Sequence, residues 1–163
     1  MKTEIFRRVE SKYLVKDKEY KQILEKSKKY LEKDKYFKSE ILNIYFDTDN
    51  YELIRSSLDK PIYKEKVRIR SYKVPNENDE IFLEIKKKYD GVVSKRRLSL
   101  SLKEFNDYYY NHKKIKNSQI MEELDYCFKK YDLKPKVFLS YDRESYKCKN
   151  DDNFRITFDL DTM

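Results

Sequence analysis

Glycine occurs once in 163 residues and proline three times, tryptophan is missing, and there are two cysteines and one histidine. So little glycine and proline leaves few flexible linkers and no low-complexity segment to mark a domain boundary, and residues 1–163 read as one domain with one core. No apolar stretch approaches the roughly 20 residues of a membrane-spanning helix, and Met1 to Glu10 lacks the apolar centre of a signal peptide, so a cytoplasmic location is expected. Cys127 and Cys148 stand in no CxxC or other ligand spacing, which argues against structural zinc and predicts reduced thiols. His112 sits among polar residues and reads as a surface histidine.

What the chain has in plenty is charge. Charged residues make up 42% of it, and 38 Lys and Arg against 30 Asp and Glu give a net charge of +8. The mean hydropathy is −1.02. Such polarity leans toward disorder, but 15% aromatic residues and interspersed charges of both signs argue for a folded domain. The positive field should attract phosphate, nucleic acid or an anionic membrane, and charge alone does not choose among them.

Periodicity gives the elements. Glu4 to Val15 alternates as a strand would, and Asp17 to Lys33 carries Tyr20, Ile23, Leu24, Ser27 and Leu31 at helical spacing. Ile41 to Phe46 reads as a short strand, and Asp47-Thr48-Asp49-Asn50 suits a turn and helix cap before Tyr51 to Leu58. Tyr63 to Tyr72 and Glu80 to Tyr89 are strand-like. Asp90-Gly91 is a strong hairpin signal, with Val92 to Leu102 returning. Ser101-Leu102-Lys103-Glu104 is a capping-box pattern for a helix to His112, and a second helix is expected over Ser118 to Tyr131. Val137 to Tyr146 and Phe154 to Asp161 complete about seven strands and four helices. The class is α+β with a mainly antiparallel sheet.

A half-buried strand normally sets apolar residues on one parity and scattered polar ones on the other. Here the second parity is concentrated in ionisable groups: Arg8, Glu10 and Lys12; Lys66, Arg68 and Arg70; Glu84, Lys86 and Lys88. Val67, Ile69, Ile81, Leu83 and Ile85 alternate with them and should pack against helices. In the last strand, Phe154, Ile156, Phe158 and Leu160 alternate with Arg155, Thr157, Asp159 and Asp161. A flat sheet would expose such faces to water, whereas closing about eight strands into a barrel would line a wet channel with them. Clustered cations need acidic partners, water or a polyanion, and a mixture of Arg forks and mobile Lys charges suits a chain of phosphates.

The residues also carry a resemblance. Arg8-Val9-Glu10-Ser11-Lys12-Tyr13, Ile44-Tyr45-Phe46-Asp47-Thr48, Lys66-Val67-Arg68-Ile69-Arg70-Ser71-Tyr72, Phe82-Leu83-Glu84-Ile85-Lys86, Ser94-Lys95-Arg96-Arg97, Ser140-Tyr141-Asp142-Arg143 and Arg155-Ile156-Thr157-Phe158-Asp159 follow one another as in the VTC domain. The chain thus resembles that branch of the triphosphate tunnel metalloenzyme superfamily over nearly its whole length. Arg8 stands where the first Glu of the ExExK-like signature would be, which favours the VTC branch over CYTH-type triphosphatases.

The resemblance implies an antiparallel barrel with helices outside that binds ATP, polyphosphate or another triphosphate with Mn²⁺ or Mg²⁺. The implied reaction is polyphosphate polymerisation, the transfer of a terminal phosphate to a growing chain. By motif, Lys12, Arg68, Arg70 and Arg143 would be catalytic, and Lys66, Lys86, Lys95, Arg97 and Arg155 would bind phosphate. Glu10, Glu84 and Asp159 are the carboxylates offered to the metal. Relatives continue past the last strand with segments bearing a further metal-binding Glu and a phosphate-contacting Lys, so the barrel is expected to be incomplete at its C-terminal end, with an open edge prone to self-association. The alternatives are a polyphosphate or inositol-polyphosphate binding module without turnover, and a metal-dependent triphosphatase. Nucleic-acid binding is the least favoured, because most of the sixteen tyrosines read as helix-packing residues, Tyr108, Tyr109 and Tyr110 among them.

Overall fold

The computed structural model describes residues 11–115 and 118–163. Its elements are α1 (Asp17–Ser27), β1 (Leu31–Asp47), α2 (Glu52–Leu58), β2 (Tyr63–Ser71), β3 (Glu80–Tyr89), β4 (Val92–Ser101), α3 (Leu102–Asn111), α4 (Gln119–Tyr131), β5 (Lys134–Cys148) and β6 (Arg155–Leu160). The strands follow the order β4-β3-β2-β1-β5-β6, with antiparallel registers for β1–β2, β2–β3, β3–β4 and β5–β6. The class is therefore α+β as expected. Among the described residues there are six strands rather than about seven, and β4 and β6 end the order, each with one neighbour. The chain divides into two compact units, one of Ile41–Ser140 and the other of residues 11–40 with Tyr141–Met163. The long strands β1 and β5 contribute a part to each.

The first unit holds the larger core. Val67, Ile69, Ile81, Leu83 and Ile85 are all buried, and Phe46, Leu98, Leu100, Phe105, Ile120, Met121, Leu124, Cys127 and Phe128 join them. One face of the β2–β4 meander is thus sealed by the apolar stripes of α3 and α4. Phe46 anchors an aromatic group, its ring 5.1 Å from Phe128 and 5.8 Å from Tyr109. Tyr108 and Tyr109 pack on this core and spend their hydroxyls on Asp125 and the Leu133 carbonyl, whereas Tyr110 is exposed. The capping box of α3 forms as its sequence predicts, Ser101 accepting from the Glu104 amide and Glu104 from the Ser101 amide. At the β3–β4 turn Asp90 and Gly91 both take positive φ (42° and 79°), the conformation that a two-residue hairpin with matching twist requires.

Buried Asp47, the last residue of β1, accepts from the amides of Thr48, Leu53 and Ile54 and so satisfies the start of α2. Replacing it by alanine orphans these donors and should cost about 2 kcal/mol, read as a lower urea midpoint at unchanged slope.

In the second unit the sequence reading needs two corrections. Residues 11–16 form no strand: the Lys16 amide donates to Glu19, turning the backbone into α1 instead of extending it. Glu4 to Glu10 lie outside the described residues. The helix expected to Lys33 stops at Ser27, because β1 begins at Leu31 and Tyr30 gives its carbonyl to the amide of Lys149. The Lys149 ammonium also binds the carbonyls of Lys28 and Lys29, groups a continuing helix would have used itself. Around β5 and β6, Phe158 packs edge-on against Tyr20 and Tyr146, at 4.8 and 6.0 Å. Glu144 accepts from the hydroxyls of both tyrosines.

Candidate functional site on a cationic sheet face

The face of β1–β4 opposite the core is built by register. Asn43 stands beside Arg70 and Tyr45 beside Arg68. Arg70 pairs with Phe82, Arg68 with Glu84 and Lys66 with Lys86, and then Phe82 pairs with Ser99, Glu84 with Arg97 and Lys86 with Lys95. Three rows result. One is Asn43, Arg70, Phe82 and Ser99; the next is Tyr45, Arg68, Glu84 and Arg97; the third is Lys66, Lys86 and Lys95. The strict alternation that buries Val67 and Ile69 on one side delivers these side chains to the other. Seven of the residues singled out from sequence, Lys66, Arg68, Arg70, Glu84, Lys86, Lys95 and Arg97, therefore share one face of one unit.

Glu84 organises the middle row. Its Oε2 accepts from Arg68 Nε and Nη2 at 2.7 and 2.6 Å, and its Oε1 from Arg97 Nε and Nη2 at 2.7 and 2.5 Å. Burial alone would raise the carboxyl's pKa, but Arg68, and after it Arg70 and Arg97, overcome this and hold it below the usual range. A guanidinium carries five N–H donors. Glu84 and the Tyr45 hydroxyl, 2.9 Å from Arg68 Nη1, consume three on Arg68, and Glu84 and the Tyr72 hydroxyl, 3.4 Å from Arg97 Nη2, three on Arg97. Each arginine keeps two N–H groups beyond these bonds. Arg97 also lies over the Phe82 ring, 4.4 Å from its centroid. Arg70, although buried, donates Nε to Asn43, whose own amide donates to the Leu139 carbonyl.

The second unit carries its own charged set. Asp159 accepts from Arg143 Nε and Nη2 at 2.6 and 2.8 Å, a bidentate pair. Arg143 also contacts the Tyr141 hydroxyl and ring. Arg155 lies 3.5 Å from Asp34 and Lys147 2.9 Å from Glu32. Lys12 is an exposed residue of this unit. The sequence-based set is thus divided: Lys12, Arg143, Arg155 and Asp159 belong to a different compact unit from the three rows. Glu10 lies outside the described residues.

Among the described residues the donor set does not fit a divalent ion. All four carboxylate oxygens of Glu84 and Asp159 are engaged by guanidinium groups, and no group of three His, Cys, Asp or Glu side chains able to hold a metal occurs among the described residues. The two acids serve the arginines. Other cysteine and acid chemistry lies on the core side: Glu65 accepts from Tyr63, Tyr131 and Cys127, and burial beside this carboxylate pushes the Cys127 thiol up to about 12, which keeps it unreactive.

Asn43, Tyr45, Tyr72 and Phe82 escaped the sequence reading. Their signal was parity, since Asn43 and Tyr45 alternate with Ile44 and Phe46 just as the arginines alternate with the core. Among the described residues no helix is long and apolar enough to cross a membrane.

The family model of the VTC domain matches residues 7–163. Among solved structures, a protein from Bacillus halodurans that carries the designation of adenylate cyclase is similar in fold, with a TM-score of 0.54 at 17% sequence identity. The likeness covers 81% of this chain and 62% of that one, so the chain spans under two thirds of the length of that structure. No curated protein compared with it matches.

Proposed function

The chain belongs to the VTC domain family, and from that premise we propose that the three-row face of β1–β4 binds the phosphate chain of ATP or polyphosphate and passes a terminal phosphoryl group to polyphosphate. The observation that carries this reading is the middle row, where Arg68 and Arg97 are fixed by one carboxylate with two N–H donors each left over. Fixed guanidinium forks next to a row of lysines match a chain of phosphates, whose charges repeat along a line. In the transfer, a terminal oxygen of the acceptor chain forms a bond to the γ-phosphorus while the bond to the β-bridging oxygen breaks and ADP leaves. The protein's part is to align the two chains and neutralise charge on the transferring group, for which Arg68, Arg70, Arg97 and the lysines are the proposed agents. Lys12, Arg143 and Arg155 are proposed as phosphate ligands of the second unit.

A second reading, binding without turnover, is favoured by one observation: Glu84 and Asp159, the two described carboxylates that the sequence offers to a metal, are both committed to arginines.

The test is thermal unfolding with tripolyphosphate, polyphosphate and ATP, each with and without Mn²⁺, against sulfate and an oligonucleotide of equal charge. A ligand at one hundred times its Kd adds about 2.7 kcal/mol, which is readily seen. Stabilisation by the polyphosphates above both controls is expected, and equal response to sulfate or oligonucleotide sinks the reading. Product analysis then separates the activities: polymer from ATP for a polymerase, orthophosphate for a triphosphatase, intact ATP for a binding module.

A further inference from the structure

The three-row face changes character along the strands. Toward the β3–β4 turn it carries Lys66, Lys86 and Lys95, in the middle Arg68, Glu84 and Arg97, and toward the other end Arg70, Phe82 and finally Tyr72, just past β2. Tyr72 is on this face because its hydroxyl meets Arg97 and its ring meets Phe82, with centroids 5.6 Å apart and planes at 73°. Phe82 is already covered by the Arg97 guanidinium. Tyr72, 43% exposed, still offers ring surface to solvent.

An exposed ring at one end of a phosphate-binding row has a matching ligand chemistry. A nucleoside triphosphate is planar and weakly polar at one end and multiply anionic at the other, and every base has a face that stacks on an aromatic ring. Tyr72 stands four residue steps from Arg68, about 13 Å by strand rise, which leaves room for the sugar between ring and phosphates. We propose that Tyr72 is the stacking platform for the base of a nucleoside triphosphate, whose phosphates then run past Arg97 and Arg68 toward Lys66, Lys86 and Lys95. This rests on the phosphate-binding reading above and adds to it a direction and a means of telling a nucleotide from a bare polyphosphate. The Tyr72 hydroxyl lies 3.4 Å from Arg97 Nη2, a long contact that adds little to the two short bonds by which Glu84 fixes Arg97.

Titration of ATP and tripolyphosphate into the wild-type chain and the Tyr72→Ala and Tyr72→Phe variants tests this. Tyr72→Ala should weaken ATP about tenfold, the scale of base stacking on an aromatic ring, and leave tripolyphosphate within about twofold. Tyr72→Phe keeps the ring and should hold ATP at the wild-type level. Equal losses for both ligands in Tyr72→Ala, no loss for ATP, or a Tyr72→Phe variant as weak toward ATP as the alanine one would each overturn the proposal. Absence of tripolyphosphate binding by the wild-type chain shows before any variant is made and takes down the phosphate-binding reading together with this one.

Discussion

Glu84→Ala should lower the unfolding free energy by about 3 kcal/mol, the lower end of what removing one partner of a buried ion pair costs. Two guanidinium groups now converge on the Glu84 carboxylate, whose side chain is only 12% exposed. Without it, Arg68 and Arg97 repel each other and each loses two charge-assisted hydrogen bonds. For a domain of this size the loss appears as a fall in Tm of about 6–12 °C. The effect has a definite pH dependence. The folded-state pKa of Glu84 is depressed, so the stability it supplies is complete above the unfolded value of about 4.3 and disappears as pH falls through the folded value. The gap between wild type and Glu84→Gln should therefore be wide at neutral pH and narrow in acid below about pH 4. A Glu84 variant as stable as wild type that loses only its response to Mn²⁺ would assign the residue to a metal and refute the arginine-organising role.

Arg68→Ala should weaken tripolyphosphate about a hundredfold. The two N–H groups left on Arg68 are worth about 1.5 kcal/mol each when they meet a charged acceptor, and every 1.4 kcal/mol is a factor of ten. Arg68→Lys keeps the charge but loses the planar fork and should cost about tenfold. The order alanine, lysine, wild type in a calorimetric titration is the signature of bidentate recognition. If Arg68→Lys binds as tightly as wild type, the face acts only as a smear of positive charge. Glu84 remains paired with Arg97 in both variants, so the two predictions fail independently.

The site was legible in the sequence where strand parity alone decides it. Lys66, Arg68 and Arg70 alternate with Val67 and Ile69, and Glu84 and Lys86 with Leu83 and Ile85, so burying one set presents the other, and the Asp90-Gly91 turn locks the register between β3 and β4. The use to which a charge is put is not encoded in parity. Glu84 reads as a metal ligand from its type and position, and only the register that sets it between Arg68 and Arg97 shows that its oxygens are already taken. The N-terminal half of β1 was missed for another reason. Leu31 to Glu40 is rich in Lys and Glu and has no clean alternation, and its strand neighbour β5 lies about a hundred residues further along the chain, with Lys147 of β5 meeting Glu32. Such pairing is invisible to any local window.

The three strands that carry most of the phosphate-binding candidates, β2, β3 and β4, are consecutive in the chain and joined as a meander from Tyr63 to Ser101. Their pairings close short loops, which cost little chain entropy, and short-range contacts form early when a chain folds. The cationic face should thus assemble before the distant partners of β1 and β5 are in place, with Glu84 already between Arg68 and Arg97 and a net positive charge on the face. Polyphosphate present during refolding would neutralise that nascent face, so the anion proposed for the finished site should also speed its formation, read as a faster refolding phase in stopped-flow with polyphosphate than without.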